Sequence, residues 1–105
     1  MPAVPEVIQR FVDTTNAGDA AGFLDCFTEN AFLSDWGREF TGRAGVSSWN
    51  DTDNIGVDSH LSIRNVVPEG HRYRLLVIVN GKGFNGEGTM TFTLAGDRIS
   101  RLEIS

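Results

Sequence analysis

The chain has 105 residues, 40% hydrophobic and 22% charged, with a formal net charge of −5. That composition is ordinary for a soluble globular domain and excludes intrinsic disorder, collagen-like repeats and long coiled coils. An acidic chain repels phosphate backbones, so nucleic acid is not an expected partner. No apolar run approaches the roughly 18 residues that span a bilayer, and no basic-then-apolar leader opens the chain, so no membrane partner and a cytoplasmic location are expected.

Val4, Val7, Ile8, Phe11, Val12 and Thr15 recur at three- and four-residue steps, one face of a helix from about Pro5 to Ala17. Pro5 suits its first turn, and Gly18 its left-handed end. Asp19 is placed to cap a second helix over about Ala20–Phe27, antiparallel to the first. Ala31–Asp35 reads as a short strand, Arg38–Thr41 as another beyond a turn at Gly37, and Arg43–Asp53 as a third helix with Val46 and Trp49 inward. The period then changes. Val57, Ser59, Leu61 and Ile63 alternate with polar residues, and Met90, Phe92 and Leu94 with threonines; Tyr73, Leu75, Val77 and Val79 alternate too, but Leu76 and Ile78 make that strand apolar on both faces, as in a central or covered strand. A last strand follows over Ile99–Ile104. Short helices ahead of a run of antiparallel strands give an α+β class, in one domain over residues 1–105.

Some apparent motifs dissolve in their context. Gly81-Lys82-Gly83-Phe84-Asn85-Gly86 fits a dinucleotide fingerprint by letter, but a strand follows where a helix is required. A hairpin with a tight Asn80-Gly81 turn is the better reading. Asp51-Thr52-Asp53-Asn54-Ile55-Gly56 opens like a calcium loop, yet Ile55 offers no oxygen and Ser62 stands where a bidentate glutamate belongs. His60 and His71 lie far apart without metal partners, so no metal is expected. Cys26 is the single cysteine and sits among apolar residues, where a small buried hydrophobe is expected rather than a nucleophile.

The informative acid is Asp35, at the end of an apolar strand and followed by Trp36. A carboxylate beside an indole in a partly dry site suits general acid/base work, while a strand-end aspartate is equally a turn former. His60 is a weaker candidate, as a hydrogen-bonding group of a pocket.

The run Val7-Ile8-Gln9-Arg10-Phe11-Val12, Asn16-Ala17-Gly18-Asp19, Phe27-Thr28-Glu29-Asn30-Ala31, Ser34-Asp35-Trp36 and Phe40-Thr41-Gly42-Arg43 resembles the nuclear transport factor 2-like superfamily, on the branch of ketosteroid isomerases and SnoaL-like polyketide cyclases. The resemblance implies a cone in which a strongly bent antiparallel sheet wraps three helices, with an apolar pocket at the open end. It implies Asp35 as the proton-moving residue, acting without an organic cofactor on an apolar carbonyl or polyketide-like substrate. Phe11 falls where such isomerases carry a tyrosine oxyanion donor, and Gly88 where they carry a second, protonated aspartate, so both donors are replaced. The alternative is therefore a non-catalytic domain that binds an apolar ligand or serves in dimerisation. The expected pocket comprises Phe11, Thr15, Trp36, Trp49, Phe84, Gly88 and Met90. A dry cavity of about 300 Å³ would cost roughly 7 kcal/mol at about 24 cal/mol per Å³. That is comparable with the whole stability of a small domain, so a homodimer is expected, burying the outer sheet face near Thr89, Thr91 and Thr93.

Overall fold

The computed structural model describes residues 3–105. In chain order the elements are α1 (Glu6–Ala17), α2 (Ala20–Asp25), β1 (Phe27–Asp35), β2 (Arg38–Thr41), α3 (Gly42–Asp53), a 3-10 turn (Ile55–Val57), β3 (His60–Glu69), β4 (Arg72–Asn80), β5 (Gly86–Ala95) and β6 (Arg98–Ile104). The six strands form one sheet in the order β2-β1-β6-β5-β4-β3, curled but unclosed. The helices pack inside it, and the result is the expected cone-shaped α+β fold.

Local chemistry explains the helix ends. The α1 stripe buries Val7, Ile8, Phe11, Val12 and Thr15, and Gly18 ends the helix at φ 70°, a conformation that is cheap for glycine. The Asp19 side chain accepts a hydrogen bond from the Gly22 N–H, as an N-cap should. Five aromatic rings join the helices to the sheet. Phe11 lies 5.1 Å from both Phe23 and Phe92 and 6.1 Å from Phe27, and Phe23 stacks on Trp49 at 6.2 Å. Cys26 is fully buried in this core, donates to the Gly22 carbonyl, and has its thiol pKa pushed up by burial, so it is a packing residue.

Several boundaries differ from the sequence reading. Strand β1 begins at Phe27 rather than Ala31, and α2 is correspondingly shorter, because Phe27 pairs with Ile99 and the Cys26 carbonyl accepts the Ile99 N–H. The sheet is not wholly antiparallel, since β1 and β6 run parallel. The β3 strand starts at His60, and the preceding residues form the 3-10 turn. No two-residue turn forms at Asn80-Gly81. A loop over residues 81–85 joins β4 to β5, braced by the Asn85 amide on the carbonyls of Gly81 and Gly83. Gly81 is required there by close approach, since a side-chain carbon would come within 2.9 Å of the Val57 and Asp58 carbonyl oxygens.

Leu76 and Ile78, apolar on the second face of β4, are half-buried on the outer side of the sheet, beside Thr89 and Glu87 of β5. No helix among the described residues is long and apolar enough to cross a membrane.

Candidate functional site

A cavity of about 230 Å³ lies between the sheet and the end of α3. Its apolar wall comprises Leu61, Val77, Val79, Met90, Ile104 and the indole of Trp49. Gly88 faces it with open space where a side chain would stand, which widens the cavity.

Asp35 enters this wall because β1 ends there. Its partner across the sheet is Ile104 of β6, and across the hairpin Arg38 of β2. The two-residue link, Trp36-Gly37, has φ of 50° and 87°, the doubly left-handed conformation of a tight hairpin. The Asp35 side chain is only 13% exposed. Its Oδ2 accepts two hydrogen bonds, from the Trp49 indole N–H at 2.9 Å and from Arg38 at 2.8 Å. Among the described residues Oδ1 receives none. Arg38 also donates to both carboxylate oxygens of Asp53, at 3.1 and 3.3 Å, and Thr52 donates to Asp53 at 2.8 Å. The Arg38 guanidinium pKa is raised, first by its hydrogen bond to Asp53 and then by the neighbouring carboxylate charges. One oxygen of Asp35 is thus clamped, and the clamp is itself anchored on α3.

Of the other sequence-derived candidates, Trp49, Gly88 and Met90 line the cavity, and Trp36 and Phe84 stand at it with 74% and 55% exposure. Trp49 is at once core and wall, 3% exposed, stacked on Phe23 and bonded to Asp35. Phe11, Thr15 and His60 do not reach the cavity. Phe11 is fully buried at the centre of the aromatic cluster. Thr15 accepts a hydrogen bond from Asn54, in a buried chain that continues to Asn50 and fastens α1 to the end of α3. His60 is exposed, because strand alternation turns Ser59 and Leu61 inward and His60 out.

The cavity lining adds seven polar residues to those the sequence reading names, namely Arg38, Thr52, Asp53, Asn54, Ser59, Glu87 and Ser105. The alternation of Val57, Ser59 and Leu61 already carried the signal for Ser59. Arg38 and Asp53 lie fifteen positions apart and meet only through the packing of β2 on α3.

The chain is thus an α+β cone with a carboxylate set in the wall of an apolar cavity. The sequence model of the SnoaL-like domain family matches residues 8–102, and the chain belongs to that family. A comparison with curated proteins gave no match. Among solved structures, the chain is similar to a candidate polyketide cyclase from Sinorhizobium meliloti, with TM-score 0.89 and 21% identity over 97% of this chain and 95% of that one. It is similar also to a candidate ketosteroid isomerase from Kribbella flavida (TM-score 0.81, 17% identity, 95% of this chain, 74% of that one). A computationally designed 17-OHP binder aligns with TM-score 0.81 at 17% identity, covering 94% of this chain and 86% of that one. At these identities the likeness establishes the fold.

Proposed function

We propose that the cavity binds a small apolar carbonyl compound and that Asp35 moves a proton at the carbon beside the carbonyl, giving an isomerase- or cyclase-type reaction. The observation that carries this reading is the carboxylate itself, with Oδ2 held by Trp49 and Arg38 and Oδ1 left without a donor in an apolar wall. Oδ1 takes the proton, the electron pair passes into the carbonyl as an enolate, and the proton returns to carbon. Nothing is oxidised or reduced, so the step calls for no organic cofactor. Similarity to a candidate polyketide cyclase and a candidate ketosteroid isomerase supports the same reaction class.

The test is deuterium exchange into 2-tetralone in D₂O, followed by NMR. The protein should accelerate exchange at the carbons beside the carbonyl, and Asp35→Asn should lose at least a hundredfold of that acceleration while still binding the ketone. Equal exchange by the two proteins would overturn the proposal.

The second reading is a binding domain without turnover. It is favoured by Phe11, which is sealed in the core, and by Gly88, which has no side chain, so neither position offers an oxyanion donor. In that case wild-type protein binds the ketone and exchanges nothing.

The same proposal includes a homodimer through the outer sheet face, where half-buried Leu76 and Ile78 lie beside the row of Thr89, Thr91 and Thr93. Light scattering at micromolar concentration should give twice the 11.5 kDa chain mass. A monomer would contradict it.

A further inference from the structure

The polar side chains that flank Asp35 in the cavity are bonded to one another or to the surrounding fold. The Trp49 N–H is bonded to Asp35, and Arg38 to Asp35 and Asp53. The Thr52 hydroxyl is bonded to Ser48 and Asp53, and the Asn54 amide to Thr15 and Asn50. Ser59 differs. The residue is 6% exposed, lines the cavity, and its hydroxyl makes no hydrogen bond among the described residues. Ser105 shares the cavity but is exposed. Among the described residues the one fully buried side-chain polar atom without a hydrogen bond is Thr28 Oγ1, so the unbonded Ser59 hydroxyl is open to the cavity and free to donate to a molecule bound there.

Its backbone is well fixed. The Ser59 N–H donates to the Asn54 carbonyl at 3.0 Å, and the next inward residue, Leu61, is held by the Asn16 side chain at both its N–H and its carbonyl. Ser59 immediately precedes β3, one edge of the sheet, whereas Asp35 ends β1, with β6, β5 and β4 lying between. The curl of the sheet brings both ends to one cavity, so the carboxylate enters it from the end of β1 and the hydroxyl from the segment just before β3.

We propose that the Ser59 hydroxyl is the cavity's hydrogen-bond donor to the ligand's carbonyl oxygen, in the role that neither Phe11 nor Gly88 fills. This rests on the reading of the cavity as a site for a small apolar carbonyl compound. Size agrees with it. A cavity of about 150 Å³ accepts benzene, so about 230 Å³ accommodates a compact one- or two-ring ketone. When Asp35 takes the proton, negative charge develops on the oxygen that Ser59 faces, and a donor there stabilises it.

The experiment compares two probes of one skeleton, 2-tetralone and the hydrocarbon tetralin, by calorimetric titration of the wild-type protein, Ser59→Ala and Ser59→Thr. The wild type should prefer the ketone by about tenfold, the worth of one neutral hydrogen bond. Ser59→Ala should erase that preference with tetralin affinity unchanged, and Ser59→Thr, which keeps the hydroxyl, should retain it. Tetralin binding reports that each variant is folded with its cavity intact. Preference retained in Ser59→Ala, equal weakening of both probes, or no binding of either by the wild type would overturn the inference. Failure of the Asp35 reading looks different, since there exchange is absent while the Ser59-dependent preference persists.

Discussion

Phe11→Ala is expected to lower the stability of the fold by about 3–5 kcal/mol, the range for removing a buried phenylalanine. The ring is fully buried and touches Phe23, Phe27 and Phe92, so one truncation leaves three aromatic neighbours facing a void. Those neighbours come from α2, β1 and β5, of which the two strands are fixed by their pairing, so they cannot all collapse inward. Total stability for a domain of this size is about 5–15 kcal/mol, so the variant should unfold at a much lower urea concentration. A loss below about 1 kcal/mol would mean that Phe11 is not central to the core.

Gly56→Ala is expected to destabilise by about 3 kcal/mol, at the upper end of the usual overpacking range. A side-chain carbon at Gly56 would collide with the Asp51 carbonyl group, which is backbone in the last turn of α3 and has no rotamer to yield. Relief requires the 3-10 turn to move away from α3. Asn54 and Val57, on either side of the glycine, both line the cavity, and Asn54 also carries the bonds to Thr15 and Asn50. The variant should therefore lose ketone affinity as well as thermal stability. Unchanged melting would show that the turn adjusts without cost.

The two substitutions probe parts of the molecule that were unequally legible in the sequence. Helix α1 was readable because its stripe and its closing Gly18 are local signals. Asp35 and Trp49 were also readable, the first from its strand-end position and the second from the spacing of α3. What escaped was set by distant contacts. The start of β1 depends on Ile99, more than seventy residues away, and its parallel pairing with β6 has no local signature. The clamp of Arg38 on Asp35 and Asp53 exists only after β2 folds against α3. In the same way, Gly81 looked like a turn residue, when its lack of a side chain instead lets the 81–85 loop touch the 3-10 turn and Asp58. For Ser59 and His60 the alternation is legible in the sequence. Of two neighbouring polar residues, the smaller one takes the inward position.

The placement of the two tryptophans has an optical consequence. Trp36 is 74% exposed on the hairpin, whereas Trp49 is 3% exposed with its N–H bonded to Asp35. The chain's tryptophan fluorescence is therefore the sum of one indole in water and one attached to the candidate base. Trp36→Phe silences the first indole without touching the second, and the remaining tryptophan emission comes from a single indole hydrogen-bonded to the carboxylate. The protein thus carries a built-in spectroscopic reporter of Asp35, readable without any added label.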